Sequence, residues 1–195
     1  MSFGNWEVNV SFDSMPQPVA SAMSEVQTNL IGAEYDMIAY LGKQVANGTN
    51  YAVLAKQVLT TGRDTQNIVL LKFNQKPQST EANLVGIEHI LDEGAPFGGI
   101  SVNPQVDIPT EIQKIWFAAF EGFVGSKLTP IAHLGSQVTR GVTQYFIAEA
   151  TAVTADENPK KDVVLVAINT LTESCKIVSI LDSYAENTLG YAFTW

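Results

Sequence analysis

The sequence predicts an α+β protein made of two tandem units, each with one α-helix packed on a four- to five-stranded antiparallel sheet. Three observations predict this class. The chain has 195 residues, of which 46% are hydrophobic and 16% are charged, which is enough for two small globular cores. Its second half repeats features of its first half. In each half, a helical pattern is followed by several strand patterns.

The repeat is clearest in two segments, QVANG at residues 44–48 and QVTRG at residues 137–141, which lie 93 positions apart. Other pairs recur at this offset or at one two positions longer: Pro16 and Pro109, Gly32 and Gly125, Leu41 and Leu134, and Asn74 and Asn169. We therefore predict a first domain at residues 1–93 and a second at residues 97–195. The joint between them falls in the Gly- and Pro-rich residues 92–107.

One helix is predicted near the start of each copy, after a short extended segment and a proline. Apolar residues at helical spacing indicate the first helix: Val19, Met23, Val26 and Leu30. The equivalent residues of the second copy are Ile112, Trp116, Ala119 and Phe123. Prolines suit the first turns and glycines the ends. Trp116 lies on the apolar stripe, so we expect it in a core.

Four strands are predicted after the helix of the first copy, at residues 35–41, 51–59, 67–74 and 84–91. The Asn47-Gly48 dipeptide between the first two strands is typical of a two-residue hairpin turn. This sheet is expected to bury one face under the helix.

The charge and the motifs exclude several classes of function. A net charge of −9 argues against nucleic acid and anionic membranes as partners. No metal-ligand spacing, phosphate loop or nucleophile elbow is present, so we expect no enzyme, no metal and no cofactor. His89 and His133 are expected to be structural residues of strands.

The single cysteine, Cys175, lies in a strand pattern and is interpreted as a buried thiol. The N-terminus has no basic and apolar signal pattern. With one cysteine and no visible export signal, a cytoplasmic, reducing location is the expectation.

The helix, the following strand, the segment Gln44–Gly48 and the strand start Thr49-Asn50-Tyr51 resemble the cystatin superfamily. The resemblance is nearest to its stefin-like and plant members, whose first hairpin reads Q-x-V-x-G, and it covers roughly residues 3–91 and 97–182. It implies two cystatin-like repeats and an inhibitor of papain-like cysteine peptidases. Such inhibitors occlude the active-site cleft without a covalent step.

The resemblance also implies which residues bind the peptidase. They are an N-terminal glycine and two first-hairpin segments: Gly4; Gln44, Val45, Ala46, Asn47 and Gly48; and Gln137, Val138, Thr139, Arg140 and Gly141. Gly98-Gly99 would match Gly4 in the second copy, and the second hairpins would lie near residues 76–79 and 171–174. Gly48→Arg is then expected to abolish binding and leave the fold intact.

An alternative is a non-inhibitory interaction or structural protein. Ala46 and Thr139 replace the central valine of the motif, and neither second hairpin has the Pro-Trp pair of inhibitory members. Asn47-Gly48 is also explained by a hairpin turn alone.

The first hairpin predicts one mode of self-association. If the turn at Asn47-Gly48 opens, the strands on either side can join into one long strand that two chains exchange. A homodimer formed by domain swapping is therefore an expected assembly, besides a complex with a peptidase or another protein.

Overall fold

The computed structural model describes residues 5–12, 15–29, 31–60, 62, 65–79, 82–94, 98–155, 157–181 and 191–193. The chain divides into two compact units, Met1–Glu93 (unit 1) and Gly94–Trp195 (unit 2). Neither of the helices in the described residues is long and apolar enough to cross a bilayer.

Unit 1 is a five-stranded antiparallel sheet with one helix inserted after its first strand. The elements are β1 (Trp6–Ser11), α1 (Gln17–Asn29), β2 (Ala33–Ala46), β3 (Gly48–Leu59), β4 (Gln66–Gln75) and β5 (Ala82–Asp92), and the strands lie in chain order. The helix begins where the carbonyl of Pro16 accepts hydrogen bonds from the amides of Val19 and Ala20. Val19, Ala22 and Met23 then bury one helix face in a cluster with apolar residues of the sheet.

Unit 2 has the same order of elements and a longer sheet. The elements are β6 (Ile100–Gln105), α2 (Thr110–Ala119), β7 (Ser126–Thr139), β8 (Gly141–Ala152), β9 (Lys161–Asn169), β10 (Cys175–Ser179) and β11 (Tyr191–Phe193), in one six-stranded antiparallel sheet. Trp116 is buried, as predicted, and its ring packs edge-on against Phe146 with centroids 5.1 Å apart. Cys175 is also buried, as predicted.

The repeat of the sequence is a repeat of backbone geometry. The bounds of β7 and β8 equal those of β2 and β3 shifted by 93 positions. The β2–β3 register is irregular between Met37 and Ala39 and between Tyr40 and Gly42. The β7–β8 register is irregular between the equivalent residues, Pro130 and Ala132, and His133 and Gly135. The long hairpin of each unit therefore bends at the same places.

The predicted α+β class is wrong, because antiparallel β-structure dominates both units. The helices have 13 and 10 residues, whereas β2 and β7 alone have 14 each. The second sheet also exceeds the predicted strand number. Sheets with one face under a helix and one in water show alternating exposure. Here residues 68–71 are four consecutive apolar residues with 0% exposure, so both faces of β4 are buried.

Predicted strand bounds were too short at the polar ends. The structure extends the predicted strand 35–41 to Ala33–Ala46 and the predicted strand 51–59 to Gly48–Leu59. Strand β6 also lies inside the stretch that was predicted as the joint. Backbone pairing holds these polar residues in strands although they lack apolar alternation.

His133 is a buried titratable group in β7 of unit 2. Its Nε2 donates a hydrogen bond of 2.8 Å to Oε1 of Gln144, and 6% of the residue is exposed. Burial lowers the pKa of the imidazole, while its hydrogen bond to Gln144 raises the pKa by less. The folded unit therefore favours the neutral ring.

We expect the free energy of unfolding to fall as the pH drops below about 6.5, the ordinary pKa of histidine in an unfolded chain. The unfolded chain then binds a proton that folded unit 2 does not bind. The slope is at most about 1.4 kcal/mol per pH unit for one proton. Urea unfolding at several pH values between about 7.5 and 5.5 measures it.

His133→Gln should remove this slope. His89→Gln is the matched control, since the side chain of His89 is 48% exposed, and it should keep the slope. A wild-type stability that stays constant or rises on acidification would contradict the assignment.

Candidate functional site

The first hairpin of each unit ends in a turn with one residue at its apex. Ala46 pairs with Gly48, so Asn47 alone lies between the strands. Thr139 pairs with Gly141 in the same way around Arg140. Gly48 has a φ of 106°, whereas Asn47 does not have a positive φ. The predicted two-residue turn at Asn47-Gly48 is therefore wrong, because Gly48 already pairs in β3.

The second hairpin lies directly beside the first in unit 1. Thr49 pairs with Gln75, the last residue of β4, and the turn from Lys76 to Ser79 follows. A Cβ at Gly48 would overlap the carbonyl oxygen of Gln75. The glycine is therefore required by packing inside unit 1, so Gly48→Arg is not expected to leave the fold intact.

In unit 2, a third segment lies beside the first hairpin of that unit. Gly98 precedes β6, and a Cβ there would overlap the carbonyl oxygen of Val138 in the first hairpin. A Cβ at Gly141 would lie 2.5 Å from Cβ of Leu171 in the second hairpin. The segment before β6 and both hairpins of unit 2 therefore converge at one end of the sheet.

The N-terminal segment of unit 1 is described only in part. Strand β1 enters the sheet at the hairpin end, because Trp6 pairs with Gln44. Gly4, the glycine implied by the resemblance, lies outside the described residues.

Each first hairpin exposes a valine two residues before its apex. Val45 is 67% exposed and Val138 is 64% exposed. Leu171, in the second hairpin of unit 2, is 63% exposed. Asn47 and Arg140 are exposed beside them. These apolar side chains are therefore in contact with water at the hairpin ends of the two sheets.

Three hydrogen-bonded amide side chains, the amide ladder of Gln44, Asn50 and Asn74, connect the strands next to the apex of unit 1. Nδ2 of Asn50 donates to Oε1 of Gln44 over 2.9 Å, and Nδ2 of Asn74 donates to Oδ1 of Asn50 over 2.7 Å. These bonds cross β2, β3 and β4. Gln44, which the resemblance implies as a peptidase contact, therefore bonds within its own unit and positions the hairpin.

Unit 2 supports its apex with a different set of side chains. Nδ2 of Asn169 donates to Oγ1 of Thr139 over 3.2 Å and to Oγ1 of Thr143 over 3.0 Å. The hydroxyl of Tyr145 donates to Oε1 of Gln137 over 2.7 Å. Thr139 and Gln137, two further predicted contact residues, thus also bond within the unit.

Asn74 and Asn169 support the two first hairpins, and the sequence patterns did not predict this role. Each is near the end of the strand before a second hairpin, and each reaches across to the first hairpin. Their recurrence at matching places in the repeat was the available signal.

Cys175 is the single thiol of the chain. Burial raises the pKa of the Cys175 thiol to about 11, so at neutral pH it is a protonated, weak nucleophile. Among the residues that the structure describes, no group of three or more His, Cys, Asp or Glu side chains is placed to hold a metal ion.

Comparison with known proteins finds no protein-family model and no curated protein that matches the chain.

Gly48→Ala should destabilise unit 1 more than Gly62→Ala. Both glycines have a φ of 106°, but only Gly48 has a neighbouring backbone in the place of the added Cβ. Positive φ alone costs roughly 1–2 kcal/mol for a residue with a Cβ, and we expect about twice that loss at Gly48. Urea unfolding of the two variants measures the difference. Equal losses would show that Gln75 moves away without cost.

The same variant tests the predicted strand exchange. Opening the hairpin relieves the overlap between an alanine at position 48 and Gln75, so Gly48→Ala should raise the dimer fraction relative to Gly62→Ala. Size-exclusion chromatography with light scattering after partial unfolding measures it. A purely monomeric Gly48→Ala protein would contradict the exchange.

Proposed function

We propose that this protein is a non-covalent inhibitor of papain-like cysteine peptidases, and that the hairpin edge of unit 1 enters the active-site cleft of the peptidase. The observation that carries the proposal is Val45, which is exposed two residues before the apex of a hairpin that the amide ladder holds in place. The resemblance of Gln44–Gly48 to the first hairpin of cystatins supports the choice of partner.

The geometry of this edge suits insertion into a groove. The amide ladder and the close packing of Gly48 on Gln75 fix the backbone before binding. A preorganised loop loses little conformational entropy when it binds, so more of the contact energy remains as affinity. Burying Val45 completely would contribute at most about 1.5–3 kcal/mol from its apolar surface.

Occlusion requires no reactive group on the inhibitor. The apex residue Asn47 and the two residues before it, Val45 and Ala46, carry amide and apolar side chains, which are neither nucleophiles nor acids. Such a loop fills the active-site cleft of the peptidase and forms backbone hydrogen bonds with its walls, so substrate cannot enter. Dilution should therefore restore full peptidase activity.

Unit 2 favours a second function, which is docking to a different protein surface. Its apex has Arg140 where unit 1 has Asn47, and Leu171 adds an exposed apolar side chain from the second hairpin. Arginine is enriched at protein interfaces relative to the rest of the surface. The proposal for unit 2 is an interaction module that does not inhibit the peptidase.

Substitutions of the two equivalent valines distinguish the units. Val45→Asp should weaken inhibition of papain at least about tenfold, because a carboxylate would be desolvated in the cleft. Val138→Asp should leave the inhibition constant unchanged. Both positions are exposed, so both variants should keep the wild-type unfolding temperature.

Titration of papain with the intact wild-type chain is the primary measurement. Failure to slow any papain-like peptidase at micromolar concentration would refute the inhibitor proposal. Equal effects of Val45→Asp and Val138→Asp would refute the assignment to unit 1.

A further inference from the structure

The asparagine at the apex of unit 1, Asn47, is held less firmly than the asparagines beside it. Asn50 and Asn74 are fixed by the amide ladder. Asn47 is exposed and lies alone between β2 and β3. Its backbone carbonyl accepts a long contact of 3.5 Å from Nδ2 of Asn74, and no residue that the structure describes bonds to its side-chain amide. The side chain can therefore rotate against its own backbone.

The residue that follows Asn47 is a glycine, and Asn47-Gly48 is the single Asn-Gly dipeptide of the sequence. The backbone nitrogen of Gly48 is close along the chain to Cγ of Asn47, so a bond between them closes a succinimide ring. Such an intramolecular attack is favoured over one by a group in solution, because the two groups are already held together. Gly48 has no Cβ, which leaves its nitrogen accessible and its backbone able to turn.

We propose that Asn47 is a site of spontaneous deamidation in the folded protein. The backbone nitrogen of Gly48 bonds to Cγ of Asn47, and the bond from Cγ to Nδ2 breaks. Nδ2 leaves as ammonia, together with the proton that the Gly48 nitrogen gives up. Water then opens the succinimide and yields either aspartate or isoaspartate, in which the chain runs through Cβ and Cγ. Solvent water is the co-reactant, and no group is oxidised or reduced.

Both products change the apex of unit 1. The new carboxyl group is ionised at neutral pH, so a negative charge replaces a neutral amide. Isoaspartate also adds a carbon to the backbone between Ala46 and Gly48, which pair across the turn. The functional consequence rests on the proposed inhibition of a peptidase by unit 1: a charged apex must be desolvated in the cleft and binds more weakly. Deamidation therefore limits the lifetime of the active inhibitor.

The equivalent turn of unit 2 lacks this chemistry. Arg140 lies alone between Thr139 and Gly141, and its side chain has no amide carbonyl for a backbone nitrogen to attack. The backbone is similar, since Gly141 has a φ of 95° and Gly48 a φ of 106°. The two turns therefore differ in the reactive side chain, and unit 2 provides a control within the same chain.

Asn158 provides a second internal control. It is exposed and lies outside the strands, as Asn47 does. The next residue is Pro159, whose backbone nitrogen carries no hydrogen and cannot form the succinimide. Exposure alone is therefore tested at Asn158 without the attacking group.

Mass spectrometry of the intact wild-type chain, incubated near neutral pH and sampled over time, tests the proposal. Trypsin cleaves after Lys43 and Lys56, so the apex is recovered in one peptide. Heavy-oxygen water in the digest marks any deamidation that the digestion itself causes. We expect the amide of Asn47 to be lost with first-order kinetics and faster at higher pH, because the attacking nitrogen must give up its proton. Asn158 should remain an amide throughout.

Two variants locate the reaction. Asn47→Gln keeps an amide but moves its carbon one bond further from the Gly48 nitrogen, so labelling of the aged chain by a protein isoaspartate methyltransferase should be lost. Arg140→Asn places the reactive dipeptide at the equivalent turn of unit 2, and position 140 should then deamidate at a rate similar to that of Asn47. A position 140 that stays an amide in this variant would refute the role of the shared turn.

The functional consequence has its own test. Asn47→Asp reproduces the aspartate product and should weaken inhibition of papain at least about tenfold. Asn158→Asp introduces the same charge in a loop of unit 2 and should leave the inhibition constant unchanged. Both positions are exposed, so both variants should keep the wild-type unfolding temperature. Equal inhibition by the wild type and Asn47→Asp would overturn this consequence.

The deamidation site and the proposed function fail in different ways. If the amide of Asn47 persists in the folded chain and is lost only in urea, the proposed site is overturned, because the reaction then requires unfolding. If Asn47 is lost in the folded chain and the wild type does not inhibit papain, the site is confirmed and the proposed function is refuted.

Discussion

Cross-strand pairing in the long central hairpin of each unit is the interaction on which the other features depend. In unit 1 it runs from Ala33 opposite Leu59 to Ala46 opposite Gly48. If β2 slipped by one residue against β3, each of its side chains would move to the opposite face of the sheet. Apolar residues that are now buried would then exchange places with polar ones. The turn at Asn47, which leaves one residue between the strands, disfavours such a slip, because loop length fixes the register of a hairpin. One register therefore fixes the exposed apex at one end of the hairpin and the buried, hydrogen-bonded pair of Tyr35 and Gln57 at the other.

The sequence allowed the repeat, the helix starts and the position of the first hairpin to be predicted, because each has a local signal. Pro16 precedes α1, Pro109 precedes α2, and glycine follows the apex of each hairpin. The fold class was not predictable in this way. Polar residues such as Gln44 and Asn50 belong to strands because they pair with each other, and no apolar alternation marks them. Apolar alternation alone therefore predicts strands that are too short, and it overstates the helical share of the fold.

The candidate site could be located from the sequence, but the direction of its side chains could not. Whether Gln44 faces a partner or its own unit depends on Asn50 and, through it, on Asn74, which lies 24 positions further along the chain. The requirement for glycine at position 48 depends in the same way on Gln75. Such contacts arise only when β3 and β4 pair, so a pattern in one segment does not contain them. The exposure of Val45 was also not predictable from its own segment, because an apolar residue beside a turn can equally be buried.

The single cysteine has a consequence for how the protein is held together. Cys175 is buried in unit 2, and the sequence contains no second cysteine with which it could form an intrachain bridge. Both units therefore rely on non-covalent packing alone, so a change of redox potential leaves the cross-linking of the monomer unaltered. The thiol becomes accessible to reagents only when its strand opens. The rate at which a thiol reagent modifies Cys175 therefore measures the opening of unit 2. Unit 1 does not contribute to this rate, because the single cysteine of the sequence lies in unit 2.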